Sequence, residues 1–256
     1  MKAFSEEQIL DNLRQQDDTS AQYYAAWWLG KMRSQHRDAI PLLIHTLSAL
    51  NKQPVDPDRR GVALNSIRAL GLLRDASASG DLLQLLQSDD YSVREEAARS
   101  LGSMKDPGAI KPICQLLSGG IDKAGREQKG TALLREPCEA LIEALGEIGD
   151  DSAMIQDTIL PFCQHPRPLV RAAACRSLLQ LTGCSQWAEE LETLLEHPEP
   201  LVRRGALLDL GATGWTAALP AIKTAAVEAS LKLVALRGLA ECSDDTAVLD
   251  AMDDLL

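Results

Sequence analysis

The chain has 256 residues, enough for one large domain or an elongated array, and its 45% apolar and 25% charged content suits a folded protein. A net charge of -11 argues against a nucleic-acid binder, which needs a basic face to neutralise phosphates, and disfavours an anionic membrane as partner. No apolar run is long enough to insert across a bilayer, and the start, Met1-Lys2-Ala3-Phe4-Ser5, carries no signal core, so a cytoplasmic protein is expected. The six cysteines (Cys114, Cys138, Cys163, Cys175, Cys184, Cys242) form no C-x-x-C pair. They read as reduced thiols, mostly packed inside helices as small hydrophobes, and not as metal ligands.

Taken in chain order, Ser5-x-x-Gln8 is a capping box that predicts a helix over about residues 6–15, within an N-terminal capping segment 1–17. A first repeat helix then spans 21–30, followed by an apolar run over 39–50. A spacer at 51–60 contains Pro54 and Pro57. Helices at 62–71 and 93–102 follow the pattern V-R-x-x-A-x-x-x-L-G with varying fidelity, each with Asp four residues after the Gly (Asp75, Asp106). Apolar runs at 80–86 and 109–117 accompany them. A second spacer, 118–136, is rich in Gly and Lys. Further copies lie at 137–146, 170–178, 202–211 and 231–239, with partner runs at 155–163, 188–195, 217–227 and 247–255. The turns His165-Pro166-Arg167-Pro168 and His197-Pro198-Glu199-Pro200 match one another.

Helix pairs recurring every 30 or so residues predict an all-α, right-handed solenoid of HEAT-like pairs, a single array over 1–256 with no β pattern. The Gly near the end of each copy is read as a helix stop. Arg94, Arg171 and Arg203 are expected to contact turn acids such as Asp89 and Asp90 in neighbouring repeats.

Let the first residue of each repeat helix be position 0. Positions 0, 4 and 8 form the apolar stripe, and positions 2 and 6 point away from it, onto an expected concave face. Most copies place charge there, as at Glu95 and Arg99 or Glu139 and Glu143. The first copy places Tyr23 and Trp27 there, which predicts an exposed aromatic pair suited to a flat ligand. Tyr24 and Trp28, at positions 3 and 7, fall nearer the packed side and are expected to pack at an interface or cap. Position 6 also carries Arg68, Arg99, Arg176 and Arg237, a ladder of guanidinium groups that fits a carboxylate-bearing ligand or a solvated row of intrahelical pairs. No phosphate-cradling loop, H-E-x-x-H motif or serine elbow is present. His165 and His197 belong to the repeat rather than to a site, and His36 and His45 have no recognisable partner.

Tyr23-Tyr24-Ala25-Ala26-Trp27-Trp28-Leu29-Gly30, supported by 91–98, 139–146 and 231–236, resembles the E-type subunits of the heterodimeric E/F phycobilin lyases, from about Ser20 to the C-terminus. The resemblance implies a chain that works with an F-type partner to bind an open-chain tetrapyrrole, most readily phycocyanobilin. The pair would attach it through a thioether to a cysteine of an apo-phycobiliprotein α-subunit, or reverse or relay that transfer. The bilin is a substrate; no cofactor and no membrane insertion or nucleic acid is implied. A non-catalytic adaptor in phycobilisome assembly or degradation is the alternative. Bilin contacts are expected at Tyr23, Tyr24, Trp27, Trp28, Arg68, Arg99, Arg176 and Glu143, with Glu95 and Glu139 as further carboxylates that could keep the pigment protonated. The Asn-His-Cys-Gln-Gly-Asn motif of isomerising F-type partners is absent, so isomerase chemistry would lie with the partner.

Overall fold

A computed structural model of the chain describes residues 4–52 and 54–255; the first three residues of the expected capping segment, Gln53 of the first spacer and Leu256 lie outside the described residues. The chain divides into two compact units with the break between Ile113 and Cys114.

Unit 1 contains α1 (Glu6–Arg14), α2 (Thr19–Lys31), α3 (Ala39–Leu47), α4 (Pro57–Leu73), α5 (Ser79–Leu85) and α6 (Tyr91–Met104). The break falls within α7 (Ile110–Leu116). Unit 2 contains α8 (Gly120–Lys123), α9 (Cys138–Ile148), α10 (Ala153–Ile159), α11 (Pro168–Thr182), α12 (Ser185–Leu194), α13 (Pro200–Thr213), α14 (Leu219–Thr224), α15 (Ala229–Cys242) and α16 (Thr246–Asp253). Among the described residues there is no strand, only one isolated bridge between Glu127 and Leu134.

The repeat helices start where acids cap them. Asp18, Asp56 and Asp90 accept from Ala21, Arg59 and Ser92 backbone N–H groups at 2.9–3.0 Å. Each satisfies an amide the first turn leaves free. Helices α11 and α13 instead begin with Pro168 and Pro200, whose fixed φ suits the first turn. Positions 0, 4 and 8 then bury as one stripe: Val62, Ser66 and Leu70 in α4, Val93, Ala97 and Leu101 in α6, Val170, Ala174 and Leu178 in α11. Each leucine so buried contributes roughly 2 kcal/mol.

The repeat glycines do not end helices. Gly30, Gly71, Gly146 and Gly211, at position 9, lie inside α2, α4, α9 and α13. Each marks a close approach to position 7, or in α15 position 4, of the next stacked helix. A Cβ on Gly71 would sit 2.6 Å from Ser100 Cα, one on Gly146 2.8 Å from Ser177 Cα, and one on Gly30 2.7 Å from Ala69 Cα. Ser100 and Ser177 donate across the contact to the carbonyls of Ile67 and Ile142, at 2.8 and 2.9 Å. In α4, α6 and α11 position 7 therefore faces the preceding repeat helix, and the small residues Ala69, Ser100 and Ser177 there let the backbones touch.

The third residue after each of these glycines, Arg33, Arg74, Gly149 and Gly214, is in the left-handed region, at or just past the helix end. The three position-1 arginines share a contact that spacing did not suggest. Arg94, Arg171 and Arg203 each reach back six residues to a turn carbonyl, of Ser88, His165 and His197 respectively, at 2.7–3.1 Å. Asp90 is taken instead by Arg60, at 2.8 Å through Nη2.

Both spacers are more ordered than bare loops. The first gives up its last residues to α4, which starts at Pro57. The second contains α8 and a small hairpin, closed by Arg135 donating to Arg126 at 2.8 Å and Gln128 to Leu133 at 2.9 Å. It is fastened by buried Ala124 and Leu134 and by His165, whose Nε2 lies 2.9 Å from the Gly125 carbonyl.

Candidate functional site

Helix α2 brings the aromatic residues to the surface of unit 1. Tyr23 and Trp27 are each 47% exposed, on the face opposite buried Ala25 and Leu29. Tyr24 is 41% exposed as well, which corrects its expected packed position, while Trp28 is half-buried. Phe4, which no repeat register could place, completes the patch. Its ring centroid lies 6.2 Å from that of Tyr24, and Tyr24 lies 5.6 Å from Trp27. Tyr23 adjoins an open cleft of about 310 Å³ lined by Thr19, Ser20, Pro57, Asp58 and Gly61. Gly61 lies directly beneath the Tyr23 ring, where an added Cβ would stand 3.8 Å away, at ordinary contact distance.

Arg68 on α4 is the ladder arginine nearest these rings. It pairs with Glu96 of α6, and that hydrogen bond raises its pKa against the opposing effect of burial, with a smaller contribution from the Tyr23 phenol. Its side chain stays 49% exposed. Arg99 pairs with Glu95 at 3.5 Å one turn away, and Arg237 with Glu241 at 2.8 Å.

In unit 2 Arg176 has a different setting. Only 13% exposed, it reaches Glu147 at 2.9 Å, Asp209 at 3.4 Å and Glu143 at 4.0 Å, so one guanidinium ties α9, α11 and α13 together. Its Nε has no hydrogen-bond partner. Asp209 is pushed up to about 7, first by burial, with Glu143 and Glu139 adding and Arg176 opposing. Arg176 and Glu143 thus meet each other, in a cluster whose carboxylates outnumber its cation.

Three of the histidines fasten turns. His36, His165 and His197 each accept, through Nδ1, the N–H two residues on, at 3.0–3.2 Å. His36 also faces Glu7 at 3.4 Å, a partner the sequence did not suggest. Cys138, Cys163 and Cys175 are buried, whereas Cys184 and Cys242 are exposed. Among the described residues no group of three or more His, Cys, Asp or Glu could hold a metal, and no helix is long and apolar enough to cross a membrane. The unit 1 surface offers ring area, a nearby guanidinium and a cleft, which suits binding a conjugated ligand more than attacking one.

Comparison with known proteins gives these features a context. The chain matches the HEAT repeats family over residues 49–129 and 157–240, and the PBS lyase HEAT-like repeat over 21–49, which includes the aromatic helix. The bilin biosynthesis protein RpcE of Synechococcus sp. (strain WH8020) is 59% identical over 252 residues, 98% of this chain and 95% of that protein. The phycocyanobilin lyase subunit alpha of Picosynechococcus sp. (strain PCC 7002) is 40% identical over 268 residues, 100% of this chain and 97% of that protein. A chain in the solved complex of CpcE and CpcF of phycocyanin lyase from Nostoc sp. PCC7120 is 39% identical with a TM-score of 0.86, covering 100% of this chain and 96% of that one. The fold is the all-α HEAT-type solenoid read from the sequence, and the chain belongs to the family of phycocyanobilin lyase alpha, or E-type, subunits.

Proposed function

We propose that the chain is one subunit of a heterodimeric lyase that, with an F-type partner, binds phycocyanobilin and delivers it to a cysteine of a phycocyanin α-subunit. One observation carries this reading: end-to-end similarity to phycocyanobilin lyase alpha subunits. The pigment is a substrate, and no resident cofactor is needed. A cytoplasmic setting agrees with six free cysteines.

The site is the exposed Tyr23–Trp27 pair, with Arg68 beside it. A linear tetrapyrrole is flat, conjugated and carries two propionates. Ring faces take the conjugated system and guanidinium takes carboxylate. Arg68 already holds Glu96 and remains half exposed, so a propionate would share or displace that acid. Arg99 offers a second such exchange with Glu95. Arg176 and Glu143 are spent on each other and on their neighbours and are assigned to the framework of unit 2.

The chemistry asks little of this chain. The acceptor thiol adds across an exocyclic double bond of the pigment's A ring: a C–S bond forms, the double bond becomes single, and the thiol proton ends on the pigment. No electrons are gained or lost overall, so the same alignment serves detachment. Holding both reactants in a near-attack geometry supplies several kcal/mol without a nucleophile from the lyase.

The test is Tyr23→Ala with Trp27→Ala, co-expressed with an F-type subunit, the bilin pathway and the apo α-subunit. Chromophore attachment, read by absorbance and zinc-enhanced fluorescence, should fall at least tenfold while helix content is unchanged. Attachment at the wild-type rate would remove the rings from the mechanism.

A further inference from the structure

Helix α2 differs from later repeat helices at position 1. Arg94, Arg171 and Arg203 reach back to turn carbonyls with a guanidinium, whereas α2 does the same with a neutral amide. Gln22 is 4% exposed, and its Nε2 donates to the carbonyls of Leu13 at 3.3 Å and Gln15 at 2.6 Å. With Leu13 and Val62, both buried, it forms the floor of a cleft of about 190 Å³ in unit 1. The rim carries three basic side chains from three places: His45 near the end of α3, Lys52 just past the 3-10 turn Ser48–Asn51, and Arg59 in the first turn of α4.

No carboxylate lines this cleft. Clefts elsewhere in the molecule differ: one is lined by Asp122 and Glu127, one by Glu192 and Glu196, and the one beside Tyr23 by Asp58. In a chain with 37 acidic and 26 basic residues, composition alone favours the acid-bearing kind. Among the described residues His45, Lys52 and Arg59 pair with no acid, while Arg60 and Arg68 on the same helix as Arg59 hold Asp90 and Glu96. The acids beside Arg59 in sequence are turned elsewhere, Asp56 to the Arg59 backbone N–H at 2.9 Å and Asp58 to the Tyr23 cleft. The Arg59 guanidinium is held instead by a neutral residue: Nη1 donates to Gln16 Oε1 at 2.8 Å and Nη2 to the Gln16 carbonyl at 3.1 Å. That clamp fixes its position without cancelling its charge.

We propose that this cleft binds a small phosphate-class anion, of the size of inorganic phosphate or pyrophosphate, through His45, Lys52 and Arg59. Two permanent cations and an imidazole around so small a space repel one another whenever the imidazole is charged, and a multivalent anion between them removes that repulsion. The volume lies below the roughly 300–1,000 Å³ of sites for drug-sized molecules, so it is too small for a tetrapyrrole. Donors converge from α3, the first spacer and α4, which suits a tetrahedral anion with oxygens on several sides better than a planar carboxylate. Because the Arg59 fork is already placed on Gln16, it acts on the cleft by charge and its remaining N–H groups, as Lys52 does. A bound anion ties the end of α3 to the start of α4 across the first spacer. The site shares no residue with the aromatic pair or Arg68 and stands independently of the pigment reading.

The experiment uses the full purified chain, with sodium phosphate and sodium pyrophosphate as probes against sodium chloride of matched ionic strength. Calorimetry should show saturable binding, and saturating phosphate should raise the melting temperature by about 2 °C or more. His45→Gln with Lys52→Gln removes two side chains that hold no other described residue, so the fold is kept, and it should weaken phosphate binding about tenfold or more. Arg37→Gln removes a cation elsewhere in unit 1 whose side chain is 91% exposed, and it should bind phosphate as the wild type does. Succinate, with planar carboxylates, should bind more weakly than phosphate. Absence of saturable binding above the chloride control, unchanged binding by the His45→Gln, Lys52→Gln chain, an equal loss in Arg37→Gln, or succinate binding as tightly as phosphate overturns the assignment.

Discussion

Arg68 and Arg176 occupy the same position of equivalent helices in the two units, yet they are different structural objects. Arg68 is half exposed and meets one acid, Glu96, from position 3 of the next helix. Arg176 is nearly covered and meets acids from the helices on both sides, Glu143 and Glu147 before it and Asp209 after it. What the neighbouring helices bring, and not the repeat position, decides whether an arginine is a surface group open to exchange or an internal clamp. Unit 1 keeps its ring-bearing and cationic side chains near solvent, and unit 2 turns charge inward to join three helices.

Removing each guanidinium separates the two cases most sharply. Arg176→Met should cost about 3 kcal/mol in urea unfolding, because it removes the buried cation that Glu147, Asp209 and Glu143 share across three helices. Arg68→Met should cost about 1 kcal/mol or less, as for an exposed pair. Equal costs would erase the distinction between clamp and surface pair.

The acid facing the clamp sharpens the comparison through pH. Asp209 titrates near 7 in the folded chain, well above an unfolded aspartate near 4. Between those values the native state holds more protons than the unfolded state, so this group's contribution to stability falls as pH rises from about 4 through 7. Asp209→Asn cannot titrate, while Arg176, Glu139, Glu143 and Glu147 remain around it. The stability of the variant relative to wild type should therefore rise by roughly 2 kcal/mol between pH 5 and pH 8. Thermal melts of both proteins across that range would show it; a pH-independent difference would mean Asp209 is ionised throughout.

Much of this arrangement was legible in the sequence because it is periodic. The buried stripe at positions 0, 4 and 8, and the outward Tyr23 and Trp27, follow directly from 3.6 residues per turn. What escaped was whatever depends on the partner element. A glycine before a turn reads as a stop, but only the next helix shows that Gly71 is a notch for Ser100. Tyr24 reads as packed because its equivalents are, and only the missing neighbour at the end of the unit exposes it. Phe4 lies outside any repeat, and the acids around Arg176 come from helices some 30 residues away in either direction, so spacing on one helix could not gather them.

The smallest effect concerns how the helices end. In unit 1 the left-handed residues after the repeat helices are Arg33, Arg74 and Lys105, with φ between 54° and 58°; in unit 2 they are Gly149, Gly183 and Gly214. The geometry is the same, so unit 1 carries the Cβ strain of that region and unit 2 avoids it at the expense of a more flexible unfolded chain. Arg74→Gly should therefore stabilise slightly, by about 0.5 kcal/mol, as strain relief of about 1 kcal/mol is partly offset by chain entropy. Gly183→Ala should destabilise by about 0.5–1 kcal/mol, and the cost is purely conformational because an added Cβ there meets nothing within 4 Å. Paired denaturation curves of the two variants read the sign directly. If Arg74→Gly instead destabilises, its side chain contributes contacts that outweigh the strain, and the two units end their helices for different reasons.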